Sequence, residues 1–134
     1  MPHIIIEYNL AVNKALNVNE LVQDLHQVAM AHDALPTGGI RTRAHLVDVA
    51  NIGDGDDANG FIYITVRLGQ GRAPDVKKDI GDKLFSALTT FTQSHFEGGK
   101  PLSLGLEIQE IEKDWTWKKN NIHQIIKDKT NGPE

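Results

Sequence analysis

Met1-Pro2-His3-Ile4-Ile5-Ile6-Glu7 decides how the rest of the chain is read. Proline is tolerated just ahead of a strand, and the β-branched run behind it favours extended backbone, so a strand is predicted over His3–Tyr8. The same residues carry a chemical suggestion. A small residue after the initiator Met normally leads to removal of that Met, which would leave Pro2 with a secondary amine in place of an amide. That nitrogen could take up a proton and would be held in position by the strand. Proline at position two is common, so the reading needs partners elsewhere, and Arg41 and Arg72 are the candidates.

Outward from this strand the chain repeats itself. Asn17 is placed to cap a helix with Glu20 three residues on, and Leu21, Val22, Leu25, Val28 and Ala29 recur at helical spacing, which predicts a helix over Val18–His32 after a polar loop. Leu35-Pro36-Thr37-Gly38-Gly39 breaks it. A second strand is predicted over Ile40–Ala50, with Ile40, Thr42, Ala44 and Leu46 on one face and Arg41, Arg43 and His45 on the other. Asn51–Gly60, NIGDGDDANG, has no periodicity and reads as a loop. Its aspartates do not fit a calcium-binding loop, because aligning Gly60 with the turn glycine puts Val66 where the bidentate acid belongs. Phe61–Leu68 is the third strand. Gly69-Gln70-Gly71-Arg72-Ala73-Pro74 leads into a second helix with Val76, Ile80, Leu84, Leu88 and Phe91 as its buried stripe, ended by Gly98 and Gly99. Leu102, Leu104, Leu106 and Ile108 alternate with polar or small residues as a fourth strand.

Strand, helix and strand therefore occur twice, over pseudo-repeats 2–58 and 61–118, inside one domain spanning 1–134. The expected fold is α+β, a duplicated βαβ unit whose four-stranded mixed sheet carries two helices on one face. Apolar residues are expected on both sheet faces, which would favour symmetric self-association. A C-terminal arm, 112–134, holds Trp115, Trp117 and a short helix capped by Asn120-Asn121, with Ile122, Ile125 and Ile126 on one side. Clasping a neighbour and strapping its own subunit are both open to it.

Composition narrows the partners. The chain has 134 residues, 40% hydrophobic and 24% charged, with net charge −4 and no cysteine. Disulfides and cysteine-based metal sites are excluded, and no global basic field exists to gather nucleic acid or an anionic membrane. The N-terminus lacks the layout of a signal peptide and no run is long enough for a membrane span, so a cytoplasmic location is expected. An anionic ligand must be caught by local arginines. Gly69-Gln70-Gly71-Arg72 resembles half of a phosphate-binding glycine motif, but Pro74 stands where the third glycine belongs, and a nucleotide is discounted. What remains is a guanidinium beside a helix N-terminus, an arrangement suited to a carboxylate. His45 is open to a general acid or base role or to a structural one, and its spacing from His3 and His123 matches no metal site.

Pro2-His3, Gly39-Ile40-Arg41-Thr42-Arg43-Ala44-His45 with Val47-Asp48, Gly69-Gln70-Gly71-Arg72, and Trp117-Lys118-Lys119-Asn120-Asn121-Ile122-His123 together resemble the 5-carboxymethyl-2-hydroxymuconate isomerase family of the tautomerase superfamily. The resemblance runs from Pro2 to about Lys127 and leaves Asp128–Glu134 as an expected mobile tail. It implies a cofactor-free homotrimeric isomerase of aromatic catabolism that moves a double bond in a 2-hydroxymuconate-type dienol carboxylate. Pro2 would be the catalytic base, and Arg41 and Arg72 would bind and polarise the substrate, with one site per chain. No cofactor, metal, nucleic acid or membrane is implied. Another tautomerase of the superfamily, or a non-catalytic oligomer binding an anionic metabolite, are the alternatives. The base must be neutral to act. A guanidinium about 7 Å from a protonated amine costs it roughly 2.4 kcal/mol at an effective dielectric of ~20, and about a quarter of that in bulk water. Burial is therefore expected around Pro2, with Phe61 or an aromatic residue of the arm as the wall.

Overall fold

The computed structural model describes residues 1–131. Its strands are β1 (His3–Asn9), β2 (Arg41–Val47), β3 (Gly60–Gly69) and β4 (Leu102–Ile111). Its helices are α1 (Leu10–Ala15), α2 (Val18–Met30), α3 (Pro74–Glu97) and α4 (Ile122–Asn131). The sheet order is β2-β1-β3-β4. β1 runs parallel to β2, β3 runs parallel to β4, and the two central strands are antiparallel.

The predicted α+β architecture is the observed one, and alternation explains it. Ile4 and Ile6 of β1 and Ile62, Ile64 and Val66 of β3 point to one face, where they are buried against Leu21 and Leu25 of α2 and Ile80, Leu84 and Leu88 of α3. The Asn17 side chain accepts the Glu20 backbone N–H, and Pro74 opens α3. Truncating a core residue such as Ile64 to Ala should cost about 2–5 kcal/mol.

Several expectations change. The segment read as a polar loop after β1 is α1, whose Val12 is buried over Gly60. Six residues are too few for a helical stripe to show in the sequence, and its N-cap, Asn9, makes no cap bond. Asn9 instead donates to the Asn59 carbonyl and accepts the Phe61 N–H, tying the end of β1 to the start of β3. β2 is shorter than expected because Gly38 and Gly39 turn in a 3-10 helix, Thr37–Gly39, and pairing with β1 ends at Val47.

The face of the sheet away from the helices is mixed. Taking every second residue, it presents His3, Ile5 and Glu7 of β1, Arg41, Arg43, His45 and Val47 of β2, Phe61, Tyr63, Thr65 and Arg67 of β3, and Ser103, Glu107, Gln109 and Ile111 of β4. Apolar residues thus lie on both faces, but on this one Ile5, Val47, Phe61 and Ile111 are interspersed with charged and polar side chains. The large exposed apolar groups lie elsewhere, above all Trp115 at 72% and Trp117 at 85% exposure. The arm packs α4 on the Thr37–Gly39 turn of its own chain rather than over the long helices. Residues 128–131 of the expected mobile tail continue α4, and residues 132–134 lie outside the described residues.

Candidate active site

The site forms where the first strand of the sheet begins. Arg41 donates its backbone N–H to the Pro2 carbonyl at 2.9 Å, which extends the β1–β2 pairing by one bond and fixes the proline. Pro2 is buried. A Cβ on Gly39 would stand 3.3 Å from Pro2 Cδ, so the glycine allows the chain to pass close beside the proline nitrogen. On the other side a Cβ on Gly69 would lie 4.0 Å from the Met1 nitrogen. The amino terminus is thus held between the end of β3 and the turn before β2.

A cavity of about 210 Å³ opens at this point. Met1 and Pro2 form its floor, Pro36 and Gly39 one side, and Arg72 another. Lys118, Asn120 and His123 reach it from the C-terminal arm. Among the described residues, no Asp or Glu lines it.

Arg72 is aimed by carbonyls. Its Nε and one terminal nitrogen donate to the Ala34 carbonyl at 3.2 and 3.1 Å, and the other terminal nitrogen donates to the Gly69 carbonyl at 3.2 Å. Gly71, at φ +117°, supplies the turn that swings the side chain back toward the amino terminus. The guanidinium therefore faces the cavity, whereas no residue of the first turn of α3 lines it, so the expected pairing of Arg72 with a helix N-terminus is not what forms the site. Arg41 lies just outside the lining and donates to the carbonyls of Gly38 and Ile40 at 2.9 and 3.3 Å. Among the described residues, the ion pairs involve none of Arg41, Arg72 and Lys118, so their charges are left uncompensated.

The electrostatic consequence falls on the amine. Burial, then the nearby charges of Lys118, Arg72 and Arg41, hold the Met1 amine, one residue ahead of Pro2, below its ordinary pKa, because each disfavours the protonated form. The cavity that receives this group has the charge needed to gather an anion and to keep a base neutral.

Other candidates fall outside it. Arg43 donates to His3 Nδ1 at 3.0 Å on the uncovered sheet face, and burial together with Arg43 and Arg67 lowers the His3 pKa. His45 sits toward the far end of β2, in register with Glu7. Phe61 is not the wall expected around Pro2, since antiparallel pairing puts Arg67 opposite His3 and leaves Phe61 at the opposite end of the sheet. Neither Trp115 nor Trp117 lines the cavity; Pro36, Gly39 and the polar arm take that place.

The place of the arm is the feature that the sequence shows least. Asn120 donates its side-chain N–H to the Gly38 carbonyl at 3.0 Å and accepts the Ile122 N–H at 2.7 Å, so one side chain docks the arm and caps α4. A Cβ on Gly38 would approach His123 Nδ1 to 2.6 Å, closer than real contacts. The Asn-Asn-Ile-His run carried the signal as a cap, but its place beside Pro2 depends on a contact across 82 residues.

A four-stranded mixed sheet under two long helices, with the start of its first strand set in a pocket of cations, is a tautomerase-like fold. A symmetric trimer of fused 4-OT shares this fold, at a TM-score of 0.59 and 16% identity over 83% of this chain and 86% of that one. More specifically, the family model described as 5-carboxymethyl-2-hydroxymuconate isomerase matches residues 2–126, and the chain belongs to that family. A crystal structure of a 5-carboxymethyl-2-hydroxymuconate isomerase from Deinococcus radiodurans R1 is 36% identical, with a TM-score of 0.86 and 93% of each chain covered. The 5-carboxymethyl-2-hydroxymuconate Delta-isomerase of Escherichia coli is 28% identical over 127 residues, 95% of this chain and 100% of that protein.

Proposed function

We propose that this chain is a 5-carboxymethyl-2-hydroxymuconate Δ-isomerase that works by proton transfer without a cofactor, with Pro2 as base once Met1 is removed. The observation that carries the reading is the partly buried amino terminus: the Met1 amine is held below its ordinary pKa by burial and by three cations, in a cavity that no carboxylate lines among the described residues, and buried Pro2 directly behind it carries the free amine once Met1 is gone. Neutral Pro2 takes the proton of the 2-hydroxyl group as the enolate forms, and the same proton is returned to a carbon further along the conjugated chain, which moves the double bond and leaves a 2-oxo group. Negative charge develops on the enolate oxygen between the two steps. Arg72, already pointed at the cavity, stabilises that charge and holds a carboxylate. Arg41 serves the second carboxylate after its side chain swings a short way from the Gly38 carbonyl. Both arginines are held only by backbone carbonyls, which leaves their charge for a ligand.

The reading includes a homotrimer and a cytoplasmic location. Trp115 and Trp117 are the apolar groups with most surface left to bury, and one lone chain leaves them in water. Light scattering at micromolar concentration should give three times the chain mass, and a monomer would remove the trimer. No helix among the described residues is long and apolar enough to cross a membrane.

The deciding assay follows the ultraviolet absorbance of the conjugated substrate with protein whose intact mass shows Met1 removed. Isomerisation that fails for such a correctly folded protein would end this reading.

A further inference from the structure

The name of the substrate class fixes a count of charges. A 2-hydroxymuconate has a carboxylate at each end, and a carboxymethyl group at carbon five adds a third, on a freely rotating methylene. Two arginines, Arg72 in the cavity and Arg41 just outside its lining, match two carboxylates. Lys118 lines the cavity as a further cation.

Lys118 differs from the arginines in the way it is held. Arg72 is anchored through all three nitrogens by the Ala34 and Gly69 carbonyls, and Arg41, after its short swing, remains a planar fork on a strand end; such guanidinium groups suit the carboxylates of a rigid conjugated chain. Lys118 enters no ion pair among the described residues, and its side chain is exposed at the mouth. Its backbone is nevertheless placed, because Asn120, two residues on, is bonded to the Gly38 carbonyl and His123 is packed against Gly38. A mobile point charge on a fixed stem suits a carboxylate whose own position varies by rotation. The lysine lines the same cavity as Met1 and Pro2, and its charge is among those that lower the Met1 amine pKa, so it lies within reach of a substrate held there.

We infer that Lys118 receives the carboxylate of the carboxymethyl group and thereby sets the preference for a tricarboxylate over an unsubstituted 2-hydroxymuconate. This rests on the isomerase reading and adds to it a residue of the C-terminal arm that determines specificity. No bond is made or broken at Lys118, and the proton path runs through Pro2.

The test compares 5-carboxymethyl-2-hydroxymuconate with 2-hydroxymuconate for the wild-type enzyme, Lys118→Ala and Lys118→Arg. Lys118→Ala should lose about tenfold in kcat/KM for the tricarboxylate, mostly through KM, and much less for the dicarboxylate. Lys118→Arg should recover most of that loss. Equal losses on both substrates would overturn the inference, since Lys118 would then act only on the amine or on the general field, and no loss on either would overturn it as well. A second measurement stands apart from turnover: calorimetric binding of propane-1,2,3-tricarboxylate and of glutarate, which lacks its middle carboxylate. Wild type should prefer the tricarboxylate and Lys118→Ala should lose that preference. If wild type isomerises neither dienol but shows this pattern, the reaction is wrong and the carboxylate site stands. An unchanged preference in Lys118→Ala removes the site whatever the reaction.

Discussion

The two ends of the sheet are related by the repetition of strand, helix and strand, and they differ in nearly everything that matters for chemistry. At one end Pro2 precedes β1, Arg41 opens β2 beside it, and Arg72 follows β3. At the other end Asn59 and Gly60 open β3, Pro101 precedes β4, and Lys14 closes α1 just after β1. A cavity of about 270 Å³ forms here too, lined by Lys14 but also by Asp48, Asp56 and Asp57. The Gly60 nitrogen, the counterpart of the proline nitrogen, is an amide that donates to the Pro101 carbonyl at 3.0 Å. Its lone pair is delocalised and it cannot serve as a base. The aspartates would repel a carboxylate. Duplicating the architecture therefore supplies two hollows, while the amine and the excess of cations occur at one.

The largest effect should come from making the first end like the second. One residue added ahead of Pro2 and retained there turns the amine into an amide. Isomerase activity should fall by about 10²–10⁴, with intact mass confirming the extension and circular dichroism the fold. Full activity from that chain would mean that the amine is not the base.

The next comparison sets Arg72 against its counterpart. Arg72→Ala should lower kcat/KM by roughly 10- to 150-fold through loss of a charge-assisted contact. Lys14→Ala should leave kcat/KM unchanged, and Arg43→Ala, on the open face, should do less than Arg72→Ala. Equal losses from Arg72 and Lys14 would show both hollows in use.

Closure by the arm is a third asymmetry. Gly38→Ala puts a methyl group into His123 and should cost about 1–3 kcal/mol of stability, read as a lower Tm, together with a raised KM as the arm is pushed from the cavity. A Tm unchanged in that variant would mean that the arm is not docked there.

The smallest effect concerns pH. Burial, Lys118, Arg72 and Arg41 all favour the neutral amine, so activity should rise with pH through a pKa lower than that of a free α-amine and then level off. Removing the Arg72 charge makes protonation easier. The acidic limb of the kcat/KM profile for Arg72→Ala should therefore move to higher pH, and a move to lower pH would contradict the assignment of the titrating group.

The long helices and four strands were legible because each carries enough residues to show its period. α1 was not, since six residues hold less than two turns and only Val12 is deeply buried. Pro2, Arg41 and Arg72 could be singled out from residue type and motif. Their final relation could not: Arg41 lines no part of the cavity and reaches Pro2 through its backbone, because its side chain is drawn to the Gly38 carbonyl. The make-up of the uncovered face was legible only in part. The isoleucines of β1 suggest two apolar faces when counted, but pleating sends Ile4 and Ile6 to the helices and leaves Ile5 between His3 and Glu7 on the other side, where Val47, Phe61 and Ile111 stand toward strand ends.

The sequence by itself determined the order of the four strands and two long helices, their duplication, the absence of cysteine chemistry and the presence of a proline that processing can expose. Each of these follows from local pattern or from composition, which need no partner. Only the tertiary structure decided that the two βαβ units meet through an antiparallel β1–β3 pair, which carries the end of β3 and Arg72 back beside residue two. It likewise decided that a segment far along the chain, whose Asn120 is 82 residues from Gly38, delivers Lys118, Asn120 and His123 to the same place. Contacts of that range are fixed by strand register and by the room left at Gly38 and Gly39, and neither is written in any single stretch of the chain.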